Sequence, residues 1–196
     1  VQIVARELAA FRDIAGPAPL AGMASALREA NRAIYERTIV EADKQGMGTT
    51  ASCLLMGSGR WIIGHIGDSR VYLLRDGVFR QVTKDHSYVQ EQVDAGFLTP
   101  EQARYHPYSN VITRCVGANA AVEADVLQGE LQNGDLFLIC SDGLTDELSD
   151  PDIARIVTEM SEESAQSLAY ALRDTAITRG GHDNVSAVIM TIGHEE

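Results

Sequence analysis

Hydrophobic positions change their spacing several times along the chain. Near the start they recur at helical intervals: Val4, Leu8 and Phe11 share one side of residues 1–12, and Leu27, Ile34 and Ile39 mark the buried side of a longer helix over 22–44. Gly16-Pro17-Ala18-Pro19 reads as a linker between the two, and Gly46-Met47-Gly48 ends the second. From Thr49 the spacing becomes that of strands. Residues 49–56 and 61–66 enclose Gly57-Ser58-Gly59, which predicts a hairpin. Residues 71–74 and Val78-Phe79 enclose Arg75-Asp76-Gly77, a second strong turn.

Between Asp85 and Tyr108 the pattern breaks into short, polar helical pieces. Thr99-Pro100-Glu101-Gln102 is a capping box with proline at the first helical position, and Pro107 closes the stretch. It reads as an insertion of about residues 85–110 packed over a sheet edge, with a plain helical connection as the simpler alternative. Strands are expected again over 111–116 and 122–131. Leu136-Phe137-Leu138-Ile139-Cys140 then runs apolar without a break, as a strand buried on both faces does. Ser141-Asp142-Gly143 stops the run, and a short helix follows to Leu148. Asp150-Pro151 predicts a helix to about Met160 with Asp150 as its cap. Ser161 is expected to cap another, faced by Leu168, Ala171, Leu172 and Ile177. Gly180-Gly181 breaks that helix, and 185–192 is the last strand. Helices, many strands, then helices predict an α+β fold with antiparallel sheets covered by helices.

A length of 196 residues fits one domain with a sizeable core. The net charge of −12 works against nucleic acid and anionic membranes, which both reward clustered Lys and Arg. No apolar stretch approaches membrane-spanning length, and no signal peptide is visible. Cys53, Cys115 and Cys140 form no close pair and read as reduced packing residues of a cytoplasmic protein. Val1 falls directly into helical spacing, which is the expectation for the ordered part of a longer protein.

The acidic surplus has a pattern. Asp68, Asp142 and Asp183 each touch a glycine-containing turn bordering an apolar strand. Asp142 alone could simply cap the helix after it. Three such strand ends could instead meet in one cleft, where crowded carboxylates resist ionisation unless cations offset them. Mg²⁺ or Mn²⁺ suits hard oxygen donors and retained waters, and no His-rich or Cys-rich spacing points to zinc. Two such ions can acidify a shared water and steady a phosphoryl group in line with it. Asp146, four residues after Asp142, would orient a metal-bound water or merely place negative charge in a helix's first turn. His65, His86, His106, His182 and His194 are scattered; His86 after Asp85 and His182 beside Asp183 are the two placed for near-site roles. Arg70 and Arg114 would either draw phosphate or pair with acids.

Gly48-Thr49-Thr50, Gly67-Asp68-Ser69-Arg70, Ser141-Asp142-Gly143 and Asp183-Asn184, in that order, resemble the metal-dependent protein phosphatases of the PPM (protein phosphatase 2C) family, its bacterial branch most closely. The resemblance implies two antiparallel β-sheets in a sandwich flanked by helix pairs, over a single domain spanning 1–196 whose N-terminal strands are missing. It also implies hydrolysis of phosphoserine and phosphothreonine on proteins at a binuclear Mn²⁺/Mg²⁺ centre. By motif, Asp142 and Asp183 would ligate the catalytic pair, and Asp68 with Asp142 a third, weaker ion. Gly143, Asp146 and Asn184 would support these ligands, and His86, Ser87 and Arg114 would belong to a substrate-binding flap at about 85–110. The partners implied are phosphorylated proteins, substrates of a serine/threonine kinase. The family's N-terminal Asp-Gly motif, phosphate-binding Arg and nearby His have no counterpart in these residues. That departure keeps a second expectation open: a phosphoprotein-binding pseudophosphatase, or an inactive fragment.

Overall fold

The computed structural model describes residues 1–193, which divide into two compact units: Val1–Asp68 with Asp85–Leu131, and Ser69–Lys84 with the chain from Gln132 onward. In chain order the elements are α1 (Gln2–Leu8), α2 (Pro17–Val40), β1 (Ala51–Gly57), β2 (Arg60–Ile66), β3 (Arg70–Arg75), β4 (Val78–Gln81), α3 (Tyr88–Asp94), α4 (Pro100–Arg104), β5 (Asp125–Glu130), β6 (Leu136–Cys140), α5 (Asp142–Thr145), α6 (Asp150–Glu159), α7 (Ala165–Arg179) and β7 (Ala187–Thr191). The class is α+β with two antiparallel sheets, as the pattern of the chain predicts. No helix among the described residues is long and apolar enough to cross a membrane.

The first unit carries the sheet β1-β2-β5. Its middle strand β2 is buried from Trp61 to Ile66, which explains an apolar run with little alternation. Met23, Ala26 and Leu27 of α2 are buried in the same core cluster as Ile62 and Ile66 of β2. The second unit carries β4-β3-β6-β7, with the apolar runs of β3 and β6 in the middle and the alternating β4 at one edge. Tyr72, Leu138, Leu144, Leu148, Ile153, Leu168 and Leu172 form its core with α5, α6 and α7. Arg179 donates to both carboxylate oxygens of Asp152 at 2.6 and 2.9 Å, which fastens α7 to the start of α6.

Several local expectations change. The Pro17 segment is no linker: Gly16, at φ 102°, ends the preceding stretch and Pro17 opens α2, because its missing N–H costs nothing in a first turn. The buried seam of α2 runs through Met23, Leu27 and Asn31, with Ile34 and Thr38 half-buried beyond it, and Ile39 is 64% exposed. Residues 111–116 form no strand; Ile112 and Val116 make isolated bridges to Ser87 and Thr49, and β5 begins only at Asp125. Ser149 caps α6 in a box with Asp152, and Asp150 is instead its first residue. Ser164, not Ser161, caps α7. On α7 the seam Leu168, Leu172, Ala176 leaves Ile177 one position round and exposed. The Thr99 capping box forms in full at α4.

Candidate functional site

In the second unit, β6 delivers the chain to Ser141, which is extended, and α5 begins with Asp142. Ser141 fastens this turn to the loop before β7 with three hydrogen bonds. Its amide donates to the Ser186 carbonyl at 3.1 Å, its hydroxyl donates to the Asn184 carbonyl at 3.2 Å, and its Oγ accepts the Ser186 amide at 3.1 Å. Gly143 makes the approach possible: a Cβ there would lie 2.4 Å from the Asn184 carbonyl oxygen and 3.5 Å from the Asp183 carbonyl carbon. Asp142 and Asp183, forty-odd residues apart in sequence, thus stand on adjoining turns.

The two carboxylates share a local arrangement. Oδ1 of Asp142 accepts the Gly143 amide at 2.9 Å, and Oδ1 of Asp183 accepts the Asn184 amide at 2.6 Å. Asp142 is half-buried and Asp183 exposed. Asp142 does not cap α5; Ser141 holds the cap position. Asp146 ends α5 as an exposed residue whose amide donates to the Asp142 carbonyl at 2.8 Å. Glu147 was invisible to sequence reasoning. Its nearly buried carboxylate accepts the His182 amide at 3.1 Å and lies 2.7 Å from His182 Nδ1, tethering the residue before Asp183. No local signal announces a contact across 35 positions. Arg70 takes the ion-pair alternative: it donates to Asp150 at 3.1 Å and to the Tyr72 hydroxyl at 3.2 Å.

Asp68 belongs to the first unit, directly after Gly67 at the end of β2. Gly67 has φ 111°, and a Cβ on it would meet Thr50 Cγ2 at 2.4 Å and Thr50 Cα at 3.2 Å. Two hydrogen bonds join Gly67 to His86. The Gly67 amide donates to His86 Nδ1 at 2.9 Å, and the His86 amide donates to the Gly67 carbonyl at 2.8 Å. His86 is buried, with the buried His65 ring 4.9 Å away. Nε2 of His86 lies 3.3 Å from Asp125 Oδ2 and 2.9 Å from Arg114 Nη1. Arg114 also donates to Asp125 Oδ1 at 2.9 Å and to the Glu123 carbonyl at 3.2 Å. Burial, then the Arg114 charge, holds the His86 imidazole below its ordinary pKa. Ser87 is buried and its hydroxyl oxygen accepts the Gln90 amide at 3.3 Å, capping α3. His86, Ser87 and Arg114 are therefore engaged within the first unit.

Among the described residues no three His, Cys, Asp or Glu side chains gather closely enough to hold a metal ion. The second unit offers two carboxylates on adjoining turns, hard oxygen donors of the kind that suit a cation keeping several of its waters. None of the three cysteines is in a disulfide. His194 lies outside the described residues.

The sequence pattern of the family described as Protein phosphatase 2C matches residues 1–175. The serine/threonine protein phosphatase PstP of Mycobacterium tuberculosis is 41% identical over 175 residues, covering 88% of this chain and 33% of that protein. The serine/threonine phosphatase stp of Listeria monocytogenes is 34% identical over 164 residues, covering 84% of this chain and 64% of that protein. The chain thus spans a third of the length of one relative and just under two thirds of the other. Among solved structures, the catalytic domain of PstP in complex with two manganese ions aligns at TM-score 0.80 and 39% identity, covering 96% of this chain and 78% of that one.

Proposed function

Since the chain belongs to the protein phosphatase 2C family, we propose that it removes phosphate from phosphoserine and phosphothreonine on proteins, with water activated by bound Mn²⁺ or Mg²⁺. The observation that carries this reading is the fastening of Ser141-Asp142-Gly143 to Asp183-Asn184. We assign Asp142 and Asp183 to the catalytic cation pair, and Asp68, through its Gly67-Asp68-Ser69-Arg70 motif, to a third, more weakly held cation. Such ions, when bound, lower the pKa of a coordinated water and offset charge on the phosphoryl oxygens.

The chain's own residues prepare the site. Gly143 lets the two turns close on one another, and the amides of Gly143 and Asn184 each fix one oxygen of a ligand carboxylate. Asp146, exposed at the end of α5, is assigned to orienting water. We assign the 85–110 segment as the flap, with His86 and Ser87 at its start and Arg114 just past its end. The two manganese ions in the PstP structure support the choice of cation. A single family pattern running through both units supports treating 1–196 as one domain. The substrates on this reading are products of a serine/threonine kinase, and three cysteines outside any disulfide fit action in the cytoplasm.

Release of phosphate from a phosphothreonine peptide and from p-nitrophenyl phosphate tests the proposal. Turnover is expected with Mn²⁺, lost with EDTA and restored by added Mn²⁺. Turnover indifferent to EDTA would end the metal-dependent reading. No turnover from the full-length protein at saturating Mn²⁺ would leave a phosphoprotein-binding domain that keeps the fold.

A further inference from the structure

We propose that His86 positions the Asp68 turn, acting through the Gly67 backbone rather than through contact with substrate. The inference rests on the assignment of Asp68 as a cation ligand. Gly67 and His86 exchange two hydrogen bonds: ring nitrogen to amide at 2.9 Å, and amide to carbonyl at 2.8 Å. Both residues are buried, so neither bond is readily replaced by water. Gly67 is also confined from the other side by Thr50, whose side chain fills the space a Cβ would need. The peptide that immediately precedes Asp68 is therefore held between Thr50 and an imidazole.

The chemistry of the ring settles how it is held. A neutral imidazole has one N–H and one acceptor. Two donors compete for that acceptor: the Gly67 amide at Nδ1 and Arg114 Nη1 at Nε2. Arg114 has a carboxylate and a carbonyl to donate to in any case, at Asp125 and Glu123. The buried Gly67 amide has the imidazole, and leaving such a donor unmet costs about 1–3 kcal/mol. The proton thus sits on Nε2, facing Asp125 Oδ2 at 3.3 Å, and Nδ1 accepts from Gly67. Asp125 of β5 orients the ring, and the ring orients the turn. His86 also stands immediately before Ser87, the cap of α3, so the same residue ties the start of the 85–110 segment to the end of β2.

Four variants of the full protein test this by Mn²⁺ titration calorimetry, alongside thermal melting and hydrogen exchange at the Gly67 amide. Asp68→Asn serves as the reference. His86→Asn keeps an acceptor at the Nδ1 position, whereas His86→Gln places its amide near Nε2, and His86→Leu has none. The expected result is loss of the weak Mn²⁺ site in Asp68→Asn, near-native affinity in His86→Asn, and a fall of about 10-fold or more in His86→Gln and His86→Leu, the scale of outer-shell losses. Gly67 exchange should quicken in the same two variants. Should His86→Leu fail to fold, the Asn and Gln pair decides. Equal affinity in His86→Asn and His86→Gln, with Asp68→Asn impaired, would overturn the positioning role. Unchanged binding in Asp68→Asn would instead remove the assignment of Asp68 on which it rests.

Discussion

The turn before Asp68 and the loop around Asp183 are held by opposite means. Gly67, itself buried, lies between the half-buried Thr50 and the buried His86, both of the first unit. Asp183 sits in a run of exposed residues from Gly180 to Asn184, tied down by the hydroxyl of Ser141 and the carboxylate of Glu147. Buried hydrogen bonds have no competing water, so the first arrangement is stiff and intolerant of substitution. Exposed bonds exchange readily with solvent, so the second is adjustable at low cost. In the proposed enzyme this difference matters: a rigid turn presets a ligand, whereas an adjustable loop can let its ligand follow a cation.

Four experiments test that contrast. The largest effect is expected on chemistry, at the turn to which the Asp183 loop is fastened. Asp142→Asn should lower turnover by about 10²–10³-fold, because several kcal/mol of charge stabilisation depend on the cations it would hold; initial rates on a phosphopeptide measure it. Next, Gly67→Ala should destabilise the protein by about 3 kcal/mol, from a left-handed backbone plus a clash with Thr50. Urea unfolding followed by fluorescence of Trp61, the sole tryptophan and a buried residue of the first unit, reports it. A change below about 0.5 kcal/mol, within the range of ordinary surface substitutions, would show that the turn is not stiff. Glu147→Ala should cost only about 1 kcal/mol while speeding hydrogen exchange at the His182 amide. A large loss of global stability would mean that loop is as firmly built as the other.

The smallest effect is one of pH, and it separates the two units. His86 titrates below its ordinary value of 6.5, through burial first and Arg114 second. The unfolded chain therefore takes up the proton earlier as pH falls. Stability should decline as pH drops below about 6.5 toward the lowered folded-state value. Asp152 of the second unit is the contrary case. Hydrogen bonds from Arg179 and then Ser149 hold its carboxyl far below its ordinary 3.8, so its contribution persists until pH falls beneath that value. Between pH 7 and 5.5 the urea midpoint seen by Trp61 should fall, and His86→Asn should remove most of the fall. An unchanged slope in that variant would assign the effect to other groups.

Reading by pattern succeeded where the structure is local. β6 and its turn, both early hairpins and the Thr99 box all stand as the residues predict, since each depends on neighbours within a few positions. Pairings at a distance were less legible. Asp150 looked like a cap, yet its carboxylate accepts from Arg70 and the Tyr72 hydroxyl, brought from β3. Residues 111–116 have the composition of a strand, but only Ile112 and Val116 find bridge partners, and the rest gain no ladder. Among the candidate ligands, Asp142 and Asp183 are marked in the sequence by their turns, and the structure sets those turns side by side. Their supports are legible only in part: His86 stands out beside Asp85, but its ring and the Glu147 carboxylate work through backbone amides 19 and 35 positions away, and an amide has no signature in sequence.

The bond between Gly67 and His86 also bears on the order of folding. Most of the chain between them is the hairpin of β3 and β4 with its tight Asp76-Gly77 turn. Closing a short hairpin costs little loop entropy and takes about microseconds. As that hairpin zips, its two ends converge, and the imidazole arrives beside the amide it must meet without any search. The partner of β3 on its other side, β6, must be gathered from much farther along the chain, so the turn at Asp68 can be shaped before β6 joins β3.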